Sequence, residues 1–118
     1  IPPHTTGAAI DMTLFSIDEY GHEQLIDMGK FDVIFGPNDQ QETFSNNITD
    51  VQRNNRMILL EAAISAGLVN YGYEWWHYSY GDKMWAVVKK QPHALYGSAV
   101  PANDSILSID KQAYLDSF

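Results

Sequence analysis

The sequence predicts an α+β domain: an antiparallel sheet with one long helix. Three observations predict it. A capped segment with helical spacing follows Thr49, apolar segments of alternating polarity stand on both sides of it, and the later segments are joined by short turns. At 118 residues the chain has room for one domain, and 45% apolar content is that of a globular protein.

Residues 8–16 (AAIDMTLFS) read as a strand, and residues 18–30, with Gly21 and Gly29 among charged residues, as a turn-rich excursion. Gly36-Pro37-Asn38-Asp39 is loop punctuation, followed by a polar run in which Phe44 is the one bulky apolar residue before Asn47. Thr49 and Gln52 fit a capping box; Met57, Leu60 and Ile64 recur at helical spacing, and Gly67 sits where a left-handed cap would end the helix. Residues 68–71 and 74–80 read as two strands around Gly72. Residues 84–89 (MWAVVK) read as a further strand, reached by a hairpin through Gly81-Asp82. From Pro92 the periodicity fades, and residues 99–104 read as loosely held. The opening Ile1-Pro2-Pro3-His4, with no initiator Met, reads as a processed or cut piece.

Composition excludes several function classes. The formal charge of −8 and the lack of a basic stripe argue against a nucleic-acid or anionic-lipid partner. No apolar run approaches the ~20 residues of a membrane helix, so no membrane span is expected. The absence of cysteine removes disulfides, thiolate zinc sites, thiol catalysis and iron–sulfur clusters.

The chemistry is concentrated around two of the four histidines. His4 precedes Thr5-Thr6-Gly7 and stands seven residues before Asp11, an acid within an apolar strand; His77 closes Glu74-Trp75-Trp76-His77. Strand residues seven or three apart face opposite sides, so His4 meets Asp11 only if the chain bends, which Gly7 permits. Glu74 and His77 likewise need a bulge or a strand end between them. Two histidines and one aspartate suit Zn²⁺ with a fourth position left for water, and a nearby Glu is a natural base. His22 and His93 read as surface residues, and Trp75, Trp76 and Trp85 as core and pocket wall.

His4-x-x-Gly7-x-Ala9-x-Asp11 is similar to the HxxGxAxD signature of the D-alanyl-D-alanine metallopeptidases, and Glu74-Trp75-Trp76-His77 resembles the second half of that signature in the VanX-like D-Ala-D-Ala dipeptidases. Asp27-Met28-Gly29-Lys30-Phe31-Asp32 resembles the family's MGxxFD segment, one residue shorter. Arg53-Asn54-Asn55-Arg56 and Ala66-Gly67-Leu68 also match the family pattern. The resemblance runs from His4 to about Gly97. It implies a hedgehog/D,D-peptidase-like fold with the zinc site on the sheet, and zinc-dependent hydrolysis of the dipeptide D-alanyl-D-alanine.

Carried over residue by residue, the resemblance makes His4, Asp11 and His77 the ligands of one Zn²⁺. Glu74 becomes the general base that passes a water's proton to the leaving amine. Asp32 becomes the carboxylate that binds the dipeptide's free ammonium. The chain departs from the pattern in two ways. The family's oxyanion-stabilising Arg lies upstream of HxxGxAxD, and Pro2 stands where a substrate-contacting Ser is common. The expected organisation is therefore residues 1–98 as a catalytic zinc-binding portion lacking its N-terminal half, with residues 99–118 as a tail. That half is the expected partner, present as a separate or missing segment, and the cytoplasm is the expected compartment, with the periplasm as the alternative. A D,D-carboxypeptidase or peptidoglycan endopeptidase on the same site, or a non-catalytic zinc module, are the competing readings.

Overall fold

The computed structural model describes residues 2–31 and 38–100, together with Asp116. A 3₁₀ turn (Pro3–Thr6) leads into β1 (Ala9–Asp11), β2 (Phe15–Ile17) and β3 (Glu23–Leu25). After the connecting segment come α1 (Asp50–Ser65), β4 (Val69–Asn70), β5 (His77–Ser79) and α2 (Lys83–Val88). The mixed α and antiparallel β composition agrees with the expected class. One sheet has the order β1-β5-β4, with both pairings antiparallel; the other is the β2–β3 hairpin.

Residues 8–16 do not form one strand. Pairing with β5 runs on to the Met12 N–H, which donates to the Trp76 carbonyl at 2.9 Å, and there the partner chain turns away. The strand then pairs instead with β3, inside the stretch read as irregular. Its turn is organised by Asp18, whose Oδ1 accepts from the amides of Tyr20 (2.9 Å) and His22 (2.8 Å). These bonds, the His22 amide foremost, hold the Asp18 carboxyl below its ordinary value.

Helix α1 begins as its sequence predicts. The Gln52 amide donates to Thr49 Oγ1 and the Thr49 amide to Gln52 Oε1, both at 3.1 Å. Its buried stripe, however, is Arg56, Leu59, Leu60 and Ala63. Ile64, expected inside, is 53% exposed because it lies about a quarter turn around the helix from that stripe. Leu59, Leu60 and Ala63 pack with Met28, Trp75, Trp76 and Tyr78 to form the main core.

Residues 84–88 are helical, not a strand, and Lys89 is the C-cap. The Asp82 carboxylate accepts from the Trp85 amide (2.8 Å) and the Ser79 hydroxyl (2.9 Å), so it caps α2 and ties it to the end of β5. That cap overrides the strand preference of Val87 and Val88. Trp85 and Ala86 then pack on Val69, with Met84 beside them.

A buried guanidinium fastens the connecting segments to α1. Arg56 is 1% exposed and donates to the carbonyls of Met28, Glu42 and Gln40, each at 2.7 Å, with its charge 5.6 Å from the Trp75 ring centroid. Burial lowers its pKa, while the negative charge of Asp27 opposes that shift. Gly29 allows the approach: its φ is +86°, and a Cβ there would lie 2.8 Å from Arg56 Nη2.

Of the loop Gly36-Pro37-Asn38-Asp39, Gly36 and Pro37 lie outside the described residues, as do 101–104 of the segment read as loosely held. Within that segment the Ala99 amide donates to the Thr5 carbonyl at 2.8 Å. Among the described residues no helix is long and apolar enough to cross a membrane.

Gly29→Ala is expected to destabilise the fold by about 1–3 kcal/mol, through left-handed strain and the displaced guanidinium. Denaturant titration tests this, and an unchanged midpoint contradicts it. The Tyr78 phenol is fully buried, and burial pushes its pKa up to about 12. Its folded value lies above its ordinary value of 10.0, so its contribution to stability is whole below that pH and is lost as pH rises through about 12. In an alkaline titration followed by tyrosinate absorbance, this phenol should ionise last and together with unfolding.

Candidate metal centre

The ladder between β1 and β5 sets Asp11 directly across from His77. Alternation along the strands sends Tyr78 to the core beneath α1 and turns His77 to the opposite face. His4 reaches the same place from the 3₁₀ turn because Gly7 adopts φ +68° and redirects the chain into β1. Glu74 lies before β5 begins, in the turn whose backbone bonds run from the Glu74 amide to the Tyr71 carbonyl (2.8 Å) and from the His77 amide to the Glu74 carbonyl (3.3 Å). Both expected breaks in regular strand geometry, at Gly7 and between Glu74 and His77, are present.

Asp11 Oδ1 stands 3.3 Å from His4 Nε2 and 3.4 Å from His77 Nδ1. The three donor atoms lie within 4.8 Å of one another, and among the described residues this is the group of His, Asp and Glu side chains able to hold a metal ion. A tetrahedral zinc with bonds of about 2.0–2.1 Å spaces its donors about 3.3–3.4 Å apart, which the two Asp11 distances match. The tautomer is also suited. His4 Nδ1–H donates to the Ala9 carbonyl at 3.3 Å, leaving the Nε2 lone pair free. The residues present therefore fit the metal.

Burial is graded across the group. The His77 side chain is 5% exposed, that of Asp11 37% and that of His4 50%. Asp11, the acid within an apolar strand, is thus a half-open carboxylate between two imidazoles. Glu74 Oε2 is 3.7 Å from His77 Nδ1. A cavity of about 670 Å³ holds these four groups between Pro3, Tyr71, Trp76 and Met84. A second, of about 380 Å³ and mostly apolar, shares Asp11 and Trp76 with it and runs toward Gly29 and Phe31.

His22 and His93 stay outside the group. His22 pairs with Asp18 at 2.9 Å on the exposed hairpin, and His93 Nδ1 contacts the Ala94 carbonyl. Trp75 and Trp76 are core and wall of the second cavity, and Trp85, on α2, packs on Val69. Asp32 lies outside the described residues. The sequence reading missed Tyr71, whose ring meets that of His77 edge-on at 5.8 Å, and Met84, which it placed on a strand.

The D-ala-D-ala dipeptidase family model, of peptidase family M15, matches residues 1–97. The chain belongs to that family. Similar proteins include the D-alanyl-D-alanine dipeptidase of Synechocystis sp., 39% identical over an alignment 103 residues long that covers 78% of this chain and 39% of the relative. Those of Enterococcus faecalis and Enterococcus faecium are 31% and 32% identical over 81 residues, 68% of this chain and 37% of each relative. The chain thus spans about two fifths of the length of these curated relatives. The family is one of zinc metallopeptidases, and a His/Asp/His group able to hold a metal stands in this member of it.

Proposed function

We propose that residues 1–98 are the zinc-binding catalytic portion of a D-alanyl-D-alanine dipeptidase, with 99–118 as a C-terminal tail. The observation that carries the reading is the convergence of His4, Asp11 and His77 within 4.8 Å of one another, with the Glu74 carboxylate beside them, in a member of this family.

His4, Asp11 and His77 would hold one Zn²⁺. When bound, zinc supplies Lewis acidity, polarising a carbonyl and acidifying a water. Glu74 takes a proton from the attacking water as its oxygen bonds to the scissile carbonyl carbon. The same carboxyl gives that proton to the amide nitrogen as the C–N bond breaks, so one residue serves as base and then acid. Half-burial of Glu74 leaves its carboxylate open to the cavity, and the Trp76 wall limits water on one side. Asp32 would anchor the dipeptide's ammonium; its neighbour Phe31 lines the second cavity, which meets the first at Asp11 and Trp76. A carboxylate holding the free ammonium favours a dipeptide over a longer stem.

Both arginines of the chain are on α1 and are engaged there. Arg53 pairs with Asp50 at 3.1 Å and donates to the Ser45 carbonyl, and Arg56 holds its three carbonyls. Neither is free for a developing oxyanion, and that role would fall to an Arg in the N-terminal half of the same enzyme.

Metal analysis should find close to one zinc per chain, retained in His22→Ala and lost in Asp11→Ala and His77→Ala. Zinc retained by all three variants would sink the ligand assignment. With the N-terminal half supplied, Glu74→Gln should keep its zinc while D-Ala-D-Ala turnover falls by about 10²–10⁴-fold. Faster cleavage of a D-Ala-D-Ala-terminated pentapeptide than of the dipeptide would point instead to a carboxypeptidase.

A further inference from the structure

We propose that Asn70, buttressed by Thr43, is the positioning residue that fixes Glu74 beside the metal donors. The proposal rests on the reading of Glu74 as the proton carrier. Asn70 ends β4, half-buried and opposite Tyr78. Its Nδ2 donates to the Glu74 carbonyl at 3.0 Å and to the His77 carbonyl at 3.1 Å. Both amide hydrogens are thus spent on the two residues that carry the base and the buried imidazole. Its Oδ1 accepts from the hydroxyl of Thr43, a residue with 0% exposure whose own amide donates to the Gly72 carbonyl at 3.0 Å.

The amide has one workable orientation. Two carbonyl oxygens face one end of it and accept only from a donor, so Nδ2 must sit there and Oδ1 must face Thr43. The Tyr71 amide in turn donates to the His77 carbonyl at 3.0 Å, so the whole turn closes around this one side chain. The middle of the turn is held by other groups. The Trp75 amide donates to the Gln41 carbonyl and Trp75 Nε1 to the Lys30 carbonyl, while the Trp76 carbonyl accepts from Met12. Loss of the Asn70 bonds therefore frees the Glu74 end without unseating the tryptophans. A base displaced by about 1 Å can cost about 10²-fold in rate while leaving substrate contacts intact.

The test uses Thr43→Val, Thr43→Ser and Asn70→Ala, with Glu74→Gln as control, all zinc-loaded and assayed with the N-terminal half supplied. Thr43→Val preserves shape in the buried site and removes only the hydroxyl. In Thr43→Val and Asn70→Ala, exchange of the Glu74 and His77 amides should quicken about tenfold or more, with α1 amides and zinc content unchanged. Turnover should drop by about 10–100-fold at a KM within about twofold of the parent, and Thr43→Ser should restore it. Unchanged exchange at both amides overturns the proposal, as does a loss of turnover that tracks lost zinc or lost α1 protection. If Glu74→Gln keeps full turnover, the assignment of Glu74 fails, and amide exchange still decides whether Asn70 holds the turn.

Discussion

A one-residue slip of β1 along β5 would turn Asp11 to the face occupied by Tyr78, and no metal donor would stand opposite His77. The register is held beyond the strands themselves. The Tyr80 amide donates to the Ala8 carbonyl at one end and the Met12 amide to the Trp76 carbonyl at the other, both at 2.9 Å. Every other site group is placed relative to that ladder. His4 returns to it through the Gly7 bend, and Glu74 leaves it where β5 has not yet begun. Tyr78 locks the alternation from the far side, since moving its fully buried ring out of the core would expose the face that α1 covers.

Behind the sheet, Arg56 performs a task that an apolar residue could not. The segments around Met28 and around Gln40 and Glu42 bring bare carbonyls to the flank of α1, and one guanidinium satisfies three of them. Leaving such a charge buried with fewer partners is costly, on the order of several kcal/mol, so the arrangement holds as a unit. It also removes Arg56 from any part in charge stabilisation at the metal group. Trp75 links the two regions: its ring lies beneath the guanidinium and its Nε1 donates to the Lys30 carbonyl, while its neighbour Trp76 walls both cavities.

What was legible in the sequence was local. The capping box of α1 lies within four residues, Gly7 announces a bend wherever it sits, and polar groups at His4, Asp11, Glu74 and His77 stand out against apolar neighbours. Structure departs from local pattern where a distant contact outweighs a local preference. Val87 and Val88 suggest a strand until Asp82 is seen to cap Lys83–Val88 and to bind Ser79 of the preceding strand. Residues 8–16 look continuous, because nothing in them marks where Trp76 stops offering a partner carbonyl. Ile64 keeps the helical period but misses the buried stripe, whose direction is set by Tyr78 and Arg56. The bond between Thr43 and Asn70 spans 27 residues and joins two ordinary polar side chains, so no pattern in the sequence signals it.

The graded burial of the donor group gives its parts different mechanical roles. His77 is embedded in the sheet and barely exposed, so its position is fixed before any ligand arrives. His4 sits on a 3₁₀ turn with no buried residue and is held by lighter contacts: the Ala9 carbonyl on Nδ1, Asp11 beside Nε2, and the Ala99 amide on the neighbouring Thr5 carbonyl. A cation shared by all three donors would therefore act as a cross-link from the rigid sheet to the loosely anchored opening turn. Binding energy spent on that ordering appears as stability of the turn, not as affinity. The group thus asks little of the core, which must fix Asp11 and His77 through one ladder, and leaves the remaining donor to be gathered in by the ligand it serves.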